Sequence, residues 1–309
     1  MLQKILSVML CAVFLLSSMG TAAAETSSPI DARLSAMEKD TYGMEQTGAV
    51  MQRISKLEKD YNGKHNTGSM VARIDALYNE IYVNGTEPSK QALLNAIQWN
   101  ISREVSAESI QQRISALEME IDGKTSNGTF SDRIKNLAVS SFGENTPPMV
   151  KVEVPADTLV KIALSETISS KNIKVGDKVR FHVADDVMLD GVLLFVKGSE
   201  GIGTVTKVTP ARNFGRNAEL VVDFGKTKSI DGTFVDTFVG DAAKKEMTNM
   251  AMAAGASIAG MVLLGPVGII AGAFVKGKNM EFPEGTELFI QTKNSETLYG
   301  VQVLSDALS

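Results

Sequence analysis

A twenty-residue repeat fills the first half of the sequence and keeps one phase, without an insertion, from Ile30 to Gly143. One column is arginine in five of its six copies, and Leu93 stands in the remaining slot. The arginines are Arg33, Arg53, Arg73, Arg113 and Arg133. Because every copy must form the same local structure and bury the same face, this repeat constrains the fold more than any other feature.

The apolar residues of one copy are spaced as on one face of an α-helix. Val50, Ile54, Leu57 and Tyr61 stand at i, i+4, i+7 and i+11, which is helical spacing. A glycine such as Gly63 then follows, as is typical of a helix end. Each copy predicts a helix of ~13 residues, too short to be stable alone. We expect a linear array of short helices and not one coiled coil, because a twenty-residue repeat does not fit heptads.

Two roles are open for the repeated arginine. It could bind an anionic ligand in each copy, or it could pair with a glutamate such as Glu58 or Glu118 and be structural. The fourth copy departs most from the pattern, with Leu93 for arginine, Trp99 near its end and no closing glycine. Arrays of this kind serve as spacers or protein-binding surfaces. The repeats also look like tandem repeats of other bacterial exported proteins.

The start of the chain predicts export. Lys4 precedes a short apolar stretch that ends in small residues at Ala24, as in a cleaved signal peptide. Cys11, the only cysteine, lies within it, so the mature chain is expected to lack disulfides, thiol nucleophiles and cysteine metal sites. Removing Lys4 changes the formal charge from −5 to −6, and such a chain offers nucleic acid no electrostatic grip. We expect the periplasm or outer membrane, or alternatively secretion or the cell surface.

The second half reads as a β domain. Short β-rich runs lie at 159–164 and 178–183, and the second alternates in polarity more cleanly than the first. Asp190-Gly191 between two such runs is the strongest short-range signal of a hairpin. Many short strands with turns between them predict a small barrel or sandwich. The predicted segments are a signal peptide at 1–24, helical repeats at 25–144, a linker at 145–149, a β domain at 150–309 and an apolar insert in it at 247–276.

The apolar insert carries no charge over the 26 residues from Met250 to Val275. Small residues at helical intervals let helix backbones approach closely in membranes. The glycines predicted to pack in this way are Gly255, Gly260, Gly265, Gly268 and Gly272. Gly265-Pro266 predicts a turn and hence a helical hairpin, whereas a single crossing would separate the last strands from their partners. The hairpin would enter a membrane, oligomerise, or be buried as core of a soluble domain.

Residues 154–303 resemble the β domain of the TrbI-like family, the outer-membrane scaffolds of type IV secretion. The residues that match are Pro155-Ala156-Asp157-Thr158, Ile168-Ser169-Ser170, Val175-Gly176-Asp177, Gly191-Val192 through Lys197-Gly198, and Gly201-Ile202-Gly203-Thr204-Val205. The resemblance implies a β barrel with an inserted helical hairpin that enters the outer membrane, and the glycine-rich insert occupies a comparable place.

The sequence shows no pattern of a catalytic, cofactor or metal site. His65 and His182 lie in different segments and lack the local partners of a triad or a metal site. The run 272–279 imitates a phosphate loop but has Asn279 where the motif has serine or threonine. The acidic pair Asp185-Asp186 lies at a strand end, where solvated carboxylates are ordinary. We expect neither an enzyme nor nucleotide binding.

The fold class predicted is therefore α+β and multidomain: six helical repeats, then a small β barrel or sandwich with an inserted helical hairpin. The function predicted is a non-enzymatic scaffold or adaptor of the cell envelope, associated with a membrane through residues 250–275. A protein partner or a homo-oligomer fits such a role. The alternative is a soluble secreted module that binds a cell-wall polymer or a protein, with the hairpin buried as core.

Overall fold

A computed structural model describes residues 30–210, 218–253, 261–262, 271–272 and 280–303 of the chain. The predicted signal peptide and most of the apolar insert lie outside the described residues. The chain forms two compact units. The first, which we call the helical unit, contains the residues up to Leu94 together with 108–145. The second, which we call the β unit, contains 95–107 and the residues from Thr146 onward.

Seven helices and fourteen strands are formed by the described residues. The helices are α1 (Ile30–Tyr42), α2 (Val50–Asn62), α3 (Met70–Tyr82), α4 (Lys90–Ser102), α5 (Ile110–Asp122), α6 (Phe130–Phe142) and α7 (Asp241–Ala253). The strands are β1 (Met149–Val154), β2 (Leu159–Leu164), β3 (Ile168–Ser169), β4 (Lys178–Val183), β5 (Val187–Leu189), β6 (Val192–Phe195), β7 (Glu200–Thr209), β8 (Glu219–Lys228), β9 (Phe234–Phe238), β10 (Met261–Val262), β11 (Ala271–Gly272), β12 (Glu281–Phe282), β13 (Glu287–Thr292) and β14 (Glu296–Gln302).

The six repeat helices confirm the period and the length predicted from the sequence. Each has 13 residues, and each starts twenty residues after the one before it. Gly63, Gly123 and Gly143 end three of them in the left-handed conformation, with φ of 71°, 68° and 78°, where glycine has no steric penalty. Ser69 and Thr129 cap helix starts through their side chains, because helix starts leave backbone N–H groups unpaired.

Side-chain hydrogen bonds join α1 to α2 and α2 to α3 at matching repeat positions. The hydroxyl of Tyr42 donates to Asp60 over 2.7 Å, and the amide of Asn62 donates to Glu80 over 2.7 Å. In both pairs the partner lies eighteen residues later in the sequence. The same geometry is therefore used at two successive helix contacts.

The next contact in this series closes the helices into a ring. The hydroxyl of Tyr82, which follows the same spacing as Tyr42 and Asn62, donates to Asp40 in α1 over 2.8 Å. Asp40 stands at the repeat position of Asp60 and Glu80, so α1 presents to α3 the position that α2 presents to α1 and that α3 presents to α2. We call α1, α2 and α3 the three-helix ring.

The expectation of a linear array is therefore wrong. In a linear stack each repeat contacts only its neighbours, whereas α1 also packs on α3. A ring places the apolar stripe of each short helix against two others, and this burial stabilises helices that are marginal alone. The ring buries completely the side chains of Leu34, Met37, Ile54, Leu57, Ile74 and Leu77.

Helices α5 and α6 begin where α1 and α2 end. A Cβ at Gly43, after α1, would lie 3.8 Å from Ser109, which caps α5. A Cβ at Gly63, after α2, would lie 3.3 Å from Thr129, which caps α6. Two repeat helices are thus stacked end-on over two helices of the ring.

The second unit contains a closed six-stranded barrel in the order β13, β2, β4, β7, β8 and β9. A separate sheet has the order β1, β14, β6 and β5. This decides between the predicted barrel and sandwich. The predicted hairpin at Asp190-Gly191 joins β5 to β6, with φ of 50° and 79° at its two residues, as a tight hairpin turn requires.

The apolar insert leaves the barrel and rejoins it between two neighbouring strands. Strand β9 precedes the insert and β13 follows it, and the two pair through Phe238 with Gln291 and Thr237 with Thr292. Strand β13 also pairs with β2, and β14 pairs with β1. The strands on both sides of the insert therefore belong to one domain, as the sequence argument against a crossing required.

Glycine at position 201 makes room for an aromatic ring in the barrel. Gly201 in β7 is paired with Phe181 in β4, and a Cβ at Gly201 would overlap the Phe181 ring. Phe181 is buried and meets the ring of Phe224 edge-on at 5.3 Å, so the ring has no free space to move into.

We predict that Gly201→Ala destabilises the protein by about 1–3 kcal/mol through overpacking. The matched control is Gly225→Ala in β8, whose Cβ would meet only Asp223 at 3.8 Å, an ordinary contact. Urea unfolding of the two variants measures the difference. Equal free energies of unfolding for both variants would show that the close approach carries no cost.

Candidate functional site: the repeat arginines and the base of the insert

Three of the repeat arginines form the same buried ion pair with the preceding helix. Arg53 donates from Nε and Nη2 to the carboxylate of Glu38 at 2.9 and 2.6 Å. Arg73 binds Glu58 in the same way at 2.9 and 2.5 Å. In each pair the glutamate lies fifteen residues before the arginine and is inaccessible to solvent.

The third pair is formed by Arg133 and Glu118, at 2.8 Å from Nε and 2.6 Å from Nη2. Burial alone would raise the pKa of Glu118, but hydrogen bonds from Arg133 and Ser126 outweigh it and hold the pKa below its ordinary value. The hydrogen bonds to Glu38 and Glu58 raise the pKa of Arg53 and Arg73 against the effect of burial. The partner therefore favours the charged form of Arg53, Arg73 and Glu118.

A serine of the preceding helix takes a further donor of each guanidinium. Nη2 of Arg53 lies 3.1 Å from Ser35, Nη2 of Arg73 2.9 Å from Ser55, and Nη2 of Arg133 3.0 Å from Ser115. The repeat motif is therefore Ser-x-x-Glu in one helix and Arg in the next. Each arginine is bound within the protein, and an external anion would have to displace a buried carboxylate.

The glutamates also fix the turns between helices. The backbone N–H of Gln46 donates to Glu38 at 3.0 Å, and that of Ser126 donates to Glu118 at 3.0 Å. One carboxylate thus binds the turn that follows its own helix and the arginine of the next helix. A buried carboxylate requires such partners, because an unpaired buried charge is very costly.

Arg33 closes the ring through the same repeat positions. Its Nη1 lies 2.5 Å from Asp75, and its guanidinium lies 4.7 Å from the centre of the Tyr78 ring. Asp75 and Tyr78 stand in α3 at the positions where α1, α2 and α5 have serine and glutamate. By the repeat spacing their partner would be position 93, which is Leu93. Arg33 thus takes the role that Leu93 cannot fill. The residues at positions 75, 78 and 93 that depart from the repeat pattern therefore all relate to the contact of α1 with α3 that closes the ring.

Arg113 is buried like Arg53, Arg73 and Arg133, but the position fifteen residues before it is Gln98. Gln98 still serves its own turn, since its amide oxygen accepts from the backbone N–H of Ser106 at 3.3 Å and its amide nitrogen donates to the Ser106 hydroxyl at 3.1 Å. The turn-binding function of the glutamate position is therefore kept in the fourth copy without its charge.

The second half of α4 is part of the β unit, which explains why the fourth copy departs from the repeat. The amide of Asn95 donates to the backbone oxygen of Ile230 at 2.8 Å, and Trp99 Nε1 donates to Asp186 at 2.7 Å. Asp186 also accepts from the backbone N–H of Lys197 at 2.8 Å. The sequence signalled this copy through Trp99 and the missing glycine, but gave no means of naming its partners.

Both carboxylates of the acidic pair Asp185-Asp186 make contacts within the protein. Asp186 binds Trp99, and Asp185 binds the amine of Lys161 at 3.1 Å. Hydrogen bonds to Glu287 and Asp185 raise the pKa of Lys161. Among the described residues, no three His, Cys, Asp or Glu side chains lie close enough together to hold a metal ion.

Of the glycines predicted to pack helices in the insert, four lie outside the described residues. These are Gly255, Gly260, Gly265 and Gly268. Gly272 lies in β11 and pairs with Met261 in β10, in antiparallel register. These four described residues are extended and not helical.

A buried glutamine fixes the base of the insert. The amide oxygen of Gln291 in β13 accepts from the backbone N–H of Ala243 in α7 at 3.0 Å, and its amide nitrogen donates to Asp157. A Cβ at Gly240 would overlap this side chain. Ala243 and Met247 of α7 are buried in the core of the β unit. Helix α7, which leads into the insert, is therefore anchored to strand β13, which follows the insert in the sequence.

Comparisons with protein-family models and with curated protein sequences gave no match. Among solved structures, the chain is similar to ComB10 of the Com type IV secretion system of Helicobacter pylori, with a TM-score of 0.27 and 16% sequence identity. The similarity covers 46% of this chain and 88% of the ComB10 chain. No helix formed by the described residues is long and apolar enough to cross a membrane.

We predict that Arg73→Met costs about 3–5 kcal/mol, because it leaves Glu58 buried without its partner. The double variant Arg73→Met/Glu58→Met should recover much of that loss, since it removes the second charge as well. Urea unfolding followed by helical circular dichroism measures both. The control is Lys56→Met, whose ion pair with Asp60 is exposed and is worth at most about 1 kcal/mol. Equal losses in the single variant and the control would contradict a structural role for the arginine.

The lowered pKa of Glu118 predicts a specific dependence of stability on pH. Its folded pKa lies below the unfolded value of about 4.3, so its ionised form stabilises the protein above that value. This contribution is lost as the pH falls through the folded pKa. Between pH 6 and pH 3 the wild type should lose more stability than Glu118→Gln. Parallel pH profiles in chemical unfolding would show that the pair does not hold the carboxylate ionised.

Proposed function

We propose that this protein is a non-enzymatic scaffold or adaptor of the bacterial cell envelope, associated with a membrane through the apolar segment at 250–275. In this proposal the β unit presents the apolar segment to the membrane, and the helical unit serves as a spacer or a protein-binding surface. The signal-peptide pattern at 1–24 supports an exported location, in the periplasm or the outer membrane.

The observation that carries the proposal is the place of the insert in the barrel. It starts after β9 and ends before β13, and these strands are paired neighbours. A segment that starts and ends at one point of a closed barrel can enter a lipid layer and return without disturbing a strand pairing. Its 26 uncharged residues would gain from leaving water, because burial of apolar surface is worth about 25 cal/mol per Å².

The contacts at the base of the insert support the same role. Gln291 links α7, β13 and Asp157 through both ends of its amide. A membrane anchor has to transmit force and orientation to the domain that it holds, which a base of fixed hydrogen bonds allows. The Gly240 backbone passes against this amide at a position where a side chain would not fit.

The proposal of a non-enzymatic role rests on how the charged groups are used. Arg53, Arg73 and Arg133 are bound to internal carboxylates, and the Asp185-Asp186 pair is bound to Lys161 and Trp99. These groups serve packing, and fold alone implies no chemistry. A role in holding and spacing other molecules needs no catalytic group.

One observation favours a second candidate, a soluble secreted binding module with the insert buried as core. Ala243 and Met247, in the helix that leads into the insert, are already part of the barrel core. In this alternative the apolar residues continue that core, and the helical or β surface binds a cell-wall polymer or a protein.

Fractionation of the exported protein separates the two functions. We compare the wild type with a variant in which residues 254–275 are replaced by alternating glycine and serine, so that the length and the core residue Met247 are kept. We expect the wild type to remain in alkali-washed membranes and the folded variant to be released, because the apolar segment holds the protein there.

The matched control replaces exposed Val175 of the β unit with serine, which should leave membrane association unchanged. Thermal unfolding of the purified variants establishes whether the barrel stays folded. A soluble wild type, together with loss of folding in the glycine-serine variant, would overturn the membrane proposal and support the soluble module.

A further inference from the structure

Inside the helical unit, the start of one repeat helix packs on the end of another. The two ends of the unit carry residues at the same repeat positions as the residues in these internal contacts. The first position of each repeat helix is apolar in α1, α2, α3, α5 and α6. Where a helix end lies over it, this position is buried: Ile110 is 3% exposed and Phe130 6%. At the start of α3 the equivalent Met70 is 41% exposed, and Met51 and Val71 beside the starts of α2 and α3 are 43% and 48% exposed.

The contact of α2 with α6 shows what covers this position. The ring of Phe130 meets the ring of Tyr61 edge-on at 5.2 Å, and Tyr61 is inaccessible to solvent. The hydroxyl of Ser131 lies 3.3 Å from the amide oxygen of Asn62. The end of one repeat helix, with the glycine after it, thus forms the complementary surface for the start of another.

At the opposite end of the helical unit, the ends of α5 and α6 carry the repeat positions with which the end of α2 contacts α6, and these residues are more exposed. Ile121 in α5 stands at the repeat position of Tyr61 and Ile81, but is half-buried where those two are inaccessible. A Cβ at Gly123 or Gly143 would meet no atom of the described residues within 4 Å, whereas the equivalent Gly63 lies against Thr129.

We propose that the starts of α1–α3 bind the ends of α5 and α6 in a second copy of this chain. We call the first surface the head (Ile30, Val50, Met51, Met70 and Val71) and the second the tail (Ile121, Asp122, Gly123 and Gly143). The interface repeats between chains the end-on contact that already exists within one chain. It places the positive ends of helix dipoles against negative ends, which is favourable.

A second copy fits the head better than an unrelated partner, because the tail carries the same repeat positions as the surface that covers Phe130. Head and tail are different surfaces, so the contact is not self-complementary. Copies joined in this way form open chains or rings and not closed pairs. The inference goes beyond the proposed scaffold role and uses no residue of the apolar insert.

Sedimentation of the mature chain, residues 25–309, tests the interface over a range of concentrations. We expect species larger than a dimer to grow with concentration, and Met70→Glu to shift the mass towards the monomer by placing a charge in the head. Met70 is exposed, so this change leaves the fold intact. The control is Val175→Glu, which places the same charge on an exposed apolar position of the β unit and should not change the assembly.

Disulfide formation gives the orientation, since the mature chain has no cysteine of its own. Asp122 and Val71 stand at the repeat positions of Asn62 and Ser131, which touch in the internal junction. We expect a Val71→Cys chain mixed with an Asp122→Cys chain to form mainly mixed disulfide dimers under mild oxidation. Mixed dimers that are abolished by Met70→Glu support the proposal.

Three results would overturn it: a monomer at all concentrations up to about 1 mM, which corresponds to negligible affinity; assembly unaffected by Met70→Glu; or Val71–Val71 disulfides alone. The same series in the variant with residues 254–275 replaced separates this interface from the membrane proposal. If assembly persists there while membrane association is lost, the two conclusions stand or fall independently.

Discussion

The helical unit depends on an ion pair that is buried between consecutive helices. A buried pair contributes little net stability over apolar residues of the same size, because desolvation opposes the attraction of the charges. Its effect is on register: a helix shifted by one residue would leave Glu58 buried without Arg73. The same carboxylate type also binds the following turn, as Glu38 binds the N–H of Gln46. One side chain therefore sets both the path of the chain and the position of the next helix.

The departures from the repeat follow from where this pattern has to stop. Arg33 lies in the first copy of the repeat, and it binds Asp75 and stacks on Tyr78 in α3. Leu93, at the position that would otherwise bind these residues, is free to be apolar. Asn95 and Trp99 then carry α4 into the β unit. Irregular residues in a repeat thus mark the contacts that are made once and not in every copy.

Periodicity made the helices predictable, since Val50, Ile54, Leu57 and Tyr61 define one face without any knowledge of tertiary structure. Turn chemistry likewise predicted the hairpin at Asp190-Gly191. The ring was not predictable in this way, because a twenty-residue spacing determines the structure of each copy and does not determine how many helices form the ring. The partner of Trp99 was also out of reach, since 87 residues separate it from Asp186 and no local pattern joins them.

The end-on stacking has a consequence for how a chain of this kind can change in length. The start of α5 lies against the end of α1 and the start of α6 against the end of α2, so these contacts join copies that are four apart. A single copy of twenty residues added between α3 and α5 would separate these partners by five copies, and the contact at Gly43 would have to be made by another copy. Added copies therefore keep the existing partners only where they preserve the spacing of four.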